Sequence, residues 1–310
     1  MKKDTLNQRA RASLLALAIG DALGATNEFK TKEAVTIPVR NLVGGGWLGL
    51  QAGEVTDDTE MTLCILEAYA EGYSLDKVAH YFLAWYESKP KDIGNLTRAA
   101  LGELKRGVSA RDSGRIAWER MSHSGAGNGA IMRCAPTAWL RAHDREIRVL
   151  ETIEIARITH FDRRAVEAAL WQNAMIAALL CEAPDPWEAA RQELLFARAE
   201  QEWATVRGED VLDWVERGRS LEISALDTSG YALATAQVAA FVLEQSASLE
   251  EGLILAVNQG GDADTIGAVA GALLGAKYGL ESIPERWLNA LLWKNKLEQT
   301  LQTALEQNQS

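Results

Sequence analysis

Apolar residues recur at three-to-four spacing along most of this chain, as in Leu63, Leu66 and Ala70 and again in Val166, Leu170, Ala174 and Ala177. That is the period of a helix with one buried face, and alternating patterns are nearly absent. The best strand candidate, Val35-Thr36-Ile37-Pro38-Val39, contains a proline that cannot donate to a ladder, so it reads as a loop or an extended edge. The pattern predicts an all-α chain with helices following Asn7, Thr56, Leu75, Asn95, Ala130, Arg145, Arg163, Trp187, Gly230, Leu249 and Asp262, and a last one after Pro284. The helix after Asp262 is unusual, because Gly267, Ala268, Ala270, Gly271, Ala272 and Gly275 keep its surface small at a cost in intrinsic propensity. Such a surface suits a central helix that another element approaches closely.

The chain has 310 residues, enough to bury a large core, and no Ser/Gly-rich, low-complexity or repeated segment divides it. A single domain over residues 1–310 is expected, with residues 1–8 and 300–310 frayed. The formal net charge of −11 argues against a general nucleic-acid or anionic-membrane surface, since affinity for phosphate backbones rests on clustered Lys and Arg. Three cysteines, Cys64, Cys134 and Cys181, read as free thiols in a reducing compartment rather than a disulfide framework. Lys2, Lys3, Arg9 and Arg11 ahead of the run Ser13 to Gly20 have the outline of a secretory signal, but the run is short and Asp4, Asn7 and Gln8 interrupt the basic part. With no other run long enough to cross a bilayer, a cytoplasmic location is expected.

Against this background stand two acidic clusters, Thr56-Asp57-Asp58-Thr59-Glu60 and Gly260-Gly261-Asp262-Ala263-Asp264-Thr265. Each lies where a glycine-containing loop gives way to an apolar helix, where free backbone N–H groups and the helix dipole favour negative charge. Capping would need one such residue per helix, so the surplus asks for another explanation. Crowded carboxylates repel unless a cation joins them, and an all-oxygen set of carboxylates and hydroxyls suits Mg, Mn or Ca. No Cys/His spacing points to zinc.

Together with Gly20-Asp21-Ala22-Leu23-Gly24, Gly127-Asn128-Gly129-Ala130-Ile131-Met132-Arg133 and Thr159-His160, these clusters resemble the ADP-ribosylglycohydrolase family. The likeness runs from about Arg9 to about Trp287 with the motifs in family order, and is greatest to the bacterial hydrolases of ADP-ribosylarginine, those acting on dinitrogenase reductase included. The resemblance implies a mainly helical bundle and two divalent cations, Mn or Mg, held by Thr56, Asp57, Asp58, Asp262, Asp264 and Thr265. It implies catalytic carboxylates at Glu28 and Asp92, one or the other serving as the acid/base, each of which alone would pass for a surface carboxylate. It also implies ADP-ribose contacts from Gly125, Gly127, Asn128, Gly129, Met132, His160 and Tyr231. Read without it, the glycines are an ordinary turn that opens an apolar helix, His160 a structural histidine and Tyr231 a core residue.

The implied activity is cleavage of the N-glycosidic bond of ADP-ribosylated arginine on a protein partner, releasing ADP-ribose. Hydrolysis of a serine, acetyl-ester or nucleic-acid-base linkage, immunity against an ADP-ribosylating toxin, and a non-catalytic ADP-ribose-binding or crystallin-like role are the alternatives. The segment Phe161-Asp162-Arg163-Arg164 departs from the family pattern, and the stretch from Glu182 to Ser229 matches it less well. Trp47, after three glycines, is a candidate for the cleft mouth.

Overall fold

The computed structural model describes residues 3–122, 125–200 and 209–308. Among the described residues fifteen α-helices follow one another: α1 Lys3–Gly24, α2 Asp57–Ala70, α3 Leu75–Glu87, α4 Asn95–Lys105, α5 Ser113–Arg120, α6 Ala135–Leu140, α7 Arg145–Arg157, α8 Arg163–Leu180, α9 Pro186–Glu200, α10 Val211–Gly218, α11 Ala232–Gln245, α12 Leu249–Val257, α13 Ala263–Tyr278, α14 Glu285–Ala290 and α15 Lys294–Gln307. Among the described residues there is no named strand, only two isolated bridges, Gly45 with Leu50 and Gly127 with Tyr231. The segment Val35 to Val39 is irregular, as its proline requires.

The centre of the bundle is the pair α1 and α13. Ser13 to Gly20, the run with a signal-like outline, is buried there throughout. Both helices carry small residues because their backbones touch. A Cβ on Gly20 would stand 2.0 Å from the Gly267 carbonyl oxygen, one on Gly24 2.1 Å from that of Ala263, and one on Gly271 2.1 Å from that of Ala16. Such distances admit no methyl group, so the propensity lost at these glycines is recovered as close packing of two long helices. The contact brings Asp21, on the last turns of α1, beside the N-terminus of α13 and its Asp264.

Two expectations are corrected. No long helix follows Ala130: residues 129–133 form turns, and the next helix, α6, begins only at Ala135. Pro136 explains this, since a proline inside a helix has no N–H and its ring clashes with the preceding turn, so it is tolerated only near a new start. The ends are also tied down as far as they are described. Leu6 is buried in α1, and α15 continues through residue 300 to Gln307 with Leu301, Ala304 and Leu305 buried, packing against α2.

Candidate active site

Three helices open onto one cleft of about 400 Å³, whose lining includes Glu28, Asp57, Asp92, Asp262 and Asp264 on one side and Gly127, Asn128, Gly129, Met132 and His160 on the other. The three are α2, α4 and α13; the N-cap side chains of Thr56 and Asp262 make no capping hydrogen bond, and Gly94, the N-cap of α4, has no side chain to make one. Elsewhere the fold does use such caps, with Ser74 accepting from Lys77 N, Asp144 from Ile147 N and Ser248 from Glu251 N. The polar groups at the cleft are thus turned away from their own helices and toward one another.

The carboxylates converge. Glu28, Asp262 and Asp264 each place an oxygen within 4.8 Å of the other two. Thr56 Oγ1 donates to Asp21 Oδ1 at 2.9 Å, and lies 3.4 Å from Asp58 Oδ2 and 3.5 Å from Asp264 Oδ2. With its proton committed to Asp21, the Thr56 oxygen is left with lone pairs near the other carboxylates. Thr265 Oγ1 lies 3.3 Å from the same Asp58 Oδ2. Asp58 is 1% exposed, yet its Oδ1 has no hydrogen-bond partner. A buried carboxylate oxygen without a partner costs free energy unless an ion is its partner, and the surrounding donors are all oxygen. The residues present therefore fit a hard divalent cation.

Electrostatics point the same way. Burial, followed by repulsion from neighbouring carboxylates, holds Asp57, Asp58 and Asp264 well above the usual carboxylate range. Burial pushes Glu28 up to about 8, against the pull of a hydrogen bond from Trp47 and with added repulsion from Asp92 and Asp262. Asp92 is raised mainly by burial, while its own Ile93 N–H, 2.7 Å from Oδ1, pulls it down. A cation removes the repulsion that raises these groups.

The opposite wall is built from backbone. Asn128 N donates to Gly230 O and Ala232 N to Ala126 O, a two-bond bridge that pins the glycine loop to the start of α11. Asn128 Nδ2 donates to Asp262 Oδ2 at 2.7 Å and to Thr235 Oγ1 at 3.0 Å, so the loop also holds a carboxylate. His160 is buried beneath the loop with Nδ1 2.8 Å from Thr159 Oγ1, and a Cβ on Gly129 would come within 2.7 Å of its ring. Burial, then the neighbouring Arg133, keeps its pKa well below the ordinary value, so the ring is neutral. Arg133 is itself fully buried, donating to Gly129 O and, at 2.7 Å, to Thr159 Oγ1.

Most of the residues expected from sequence thus come together, with Thr265 lining the cleft and Thr56 and Asp58 buried beside it. Gly125 packs on Leu96 instead, and the Tyr231 ring turns to Trp214, Arg164 and Glu209, only its backbone meeting the loop. Asp21, which the sequence shows within the Gly20–Gly24 motif but without an expected role in the site, is fully buried and bonded to Thr56 and Thr59. Gly94, Asn95, Leu96 and Thr97 at the start of α4 also line the cleft, without a distinctive sequence signal.

The family model for ADP-ribosylglycohydrolase matches residues 2–310. The chain belongs to the ADP-ribosylglycohydrolase family. This family member is 33% identical over 307 residues to the ADP-ribosyl-[dinitrogen reductase] glycohydrolase of Rhodospirillum rubrum, covering 96% of this chain and 95% of that one. It is 32% identical to the ADP-ribosylarginine hydrolase Tri1 of Pseudomonas putida, over 95% of this chain and 77% of the relative. A solved structure titled "ADP-ribosylglycohydrolase-related protein complex" superposes with a TM-score of 0.79 at 32% identity, covering 98% of this chain and 99% of that one. This ADP-ribosylglycohydrolase is thus a hydrolase of all-α architecture with an acidic cluster suited to a metal, and no described helix is long and apolar enough to cross a membrane.

Proposed function

We propose that this chain hydrolyses the N-glycosidic bond between ADP-ribose and an arginine side chain of a modified protein, using two divalent cations, Mn or Mg, held by Thr56, Asp57, Asp58, Asp262, Asp264 and Thr265. The observation that carries the reading is one cleft with carboxylates on one wall and a glycine loop on the other. Two relatives above 30% identity, named for dinitrogen reductase and for ADP-ribosylarginine, support the arginine linkage.

Cleavage at the anomeric carbon passes through an oxocarbenium-like state, which nearby carboxylates stabilise. The cations would supply positive charge to the ribose hydroxyls and make a bound water more acidic. Glu28 and Asp92 move protons between that water and the departing guanidine; burial and repulsion keep both above ordinary carboxylates, which suits general acid/base work near neutrality. Among the described residues lining the cleft there is no Lys or Arg, so the diphosphate is met by the backbone N–H groups of Gly127 and Gly129 and by the uncapped first turn of α4. Neutral His160 braces the loop and offers a ring edge rather than a charge. A location in the cytoplasm, a domain spanning residues 1–310 and physiological substrate proteins bearing ADP-ribosylarginine complete the reading.

Arginine-linked and serine-linked ADP-ribosyl peptides, incubated with the protein and Mn or Mg, test it by mass spectrometry of free ADP-ribose. Release from the arginine linkage at least tenfold faster is expected; faster release from serine would contradict it.

A further inference from the structure

Beside Glu28 the cleft mouth carries two exposed aromatic rings that the machinery above does not use. Phe29 is 67% exposed and Trp47 55% exposed, and their ring centroids are 5.4 Å apart. Phe29 lines the acidic cleft itself, and the Trp47 indole N–H donates to Glu28 Oε2 at 2.6 Å. Neither ring is there by default. Phe29 has a φ of +60°, a left-handed backbone that a bulky residue rarely adopts, fixed by Phe29 N donating to Gly261 O and Gly261 N to Lys30 O, next to the ligand Asp262. Trp47 sits in a tight turn closed by the Gly45–Leu50 bridge and fastened by Thr26 Oγ1 donating to Gly44 O. A Cβ on Gly46 would meet the Ala25 carbonyl oxygen at 2.2 Å, so the turn lies directly against the segment carrying Glu28.

We propose that Phe29 and Trp47 form an aromatic shelf that receives the guanidinium of the arginine side chain and so selects that leaving group, with Trp47 also positioning Glu28. The proposal rests on the arginine-linked reading of the site. A planar delocalised cation stacks on aromatic faces, and here it would do so between the rings and the carboxylates of Glu28 and Asp92, whose charge complements it. The shelf is continuous with the cleft through Phe29, so a modified arginine reaching the anomeric site from outside passes over it. A neutral ester or serine leaving group gains nothing comparable.

Kinetics of Trp47→Ala, Trp47→Phe and Phe29→Ala on an arginine-linked ADP-ribosyl peptide, beside calorimetric titration of free ADP-ribose, test the shelf. Trp47→Ala and Phe29→Ala are each expected to raise KM about tenfold, the scale of a partly desolvated cation–π contact. ADP-ribose affinity, which lacks the guanidinium, should change less than twofold. Trp47→Phe keeps a ring but loses the N–H, so KM should hold while kcat falls. Unchanged KM in both alanine variants, or a parallel loss of ADP-ribose affinity, would overturn the shelf while leaving arginine hydrolysis standing. A wild type that leaves the arginine linkage intact would instead overturn the arginine reading, and the shelf with it.

Discussion

At the scale of single residues, Asp58 is the side chain least at home without a ligand, buried with one oxygen unpartnered amid carboxylates that burial and mutual repulsion all raise. A group whose folded-state pKa lies above its unfolded value stabilises the fold below the unfolded pKa and loses that contribution as pH rises through the folded one. Glu28 moves from 4.5 to about 8 and Asp21 from 3.8 to about 6. The chelated protein is therefore expected to lose melting temperature between about pH 5 and about pH 8 from these groups. Mn or Mg should raise it more at the upper end, because the ion competes with protons for the same oxygens. Differential scanning fluorimetry reads this directly, and a metal increment equal at both pH values would contradict it. Glu28→Gln is expected to lower kcat by about a hundredfold or more, the usual scale of general acid/base catalysis, while ADP-ribose affinity changes little. Equal losses in both would argue that Glu28 binds rather than transfers protons.

At the scale of elements, the glycines of α1 and α13 are contact surfaces. Gly271→Ala places a methyl group 2.1 Å from the Ala16 carbonyl and should destabilise by at least the ~1–3 kcal/mol typical of overpacking, since the obstacle is backbone that cannot rotate away. Gly102, inside α4 with only the end of Arg106 nearby at 4.0 Å, provides the contrast: alanine there should stabilise by about 1 kcal/mol, the helix propensity difference. Chemical denaturation of both variants measures the pair, and like-signed shifts would refute the close-approach account. The same surface shows how much the chain discloses in advance. Spacing and small residues announced α13 as a tightly packed central helix, and a helix was expected after Asn7, but nothing in the sequence names that helix, α1, as the partner of α13. The short helices Ser113–Arg120 and Val211–Gly218 escaped, because eight residues hold too few apolar repeats to declare a period. The turns after Ala130 were masked by an apolar stretch whose backbone bonds stay local, Met132 N to Asn128 O and Cys134 N to Ala130 O, and which Pro136 keeps from running on as one long helix. At the site, clustered carboxylates were legible by their surplus over capping needs, while Asp92, His160 and Glu28 depended on family resemblance, each being an ordinary residue by itself.

At the scale of the molecule, the ends of the chain complete the site from behind. Helix α1 at the N-terminal end packs along α13, and α15 at the other end packs on α2, so each helix that begins with an acidic cluster rests on a terminal helix. Removing α15 by truncation after Leu292 would uncover the face of α2 and should cost metal affinity as well as stability, although no residue of α15 lines the cleft; isothermal titration of Mn with the truncated chain reads the effect, and full affinity would show the clusters to be independent of that backing. The central claim is that two acidic clusters from distant parts of one sequence form a single metal-dependent hydrolytic centre. It is tested most directly by quantifying free ADP-ribose from an arginine-linked peptide, with Mn, Mg or a chelator, for the wild type beside Asp57→Ala and Asp264→Ala. Release that requires the metal and falls by about a thousandfold or more in each variant, with helical content unchanged by circular dichroism, is the predicted result, on the scale of losing a main electrostatic contribution to catalysis. Release that persists in chelator, or that survives either substitution, would contradict it.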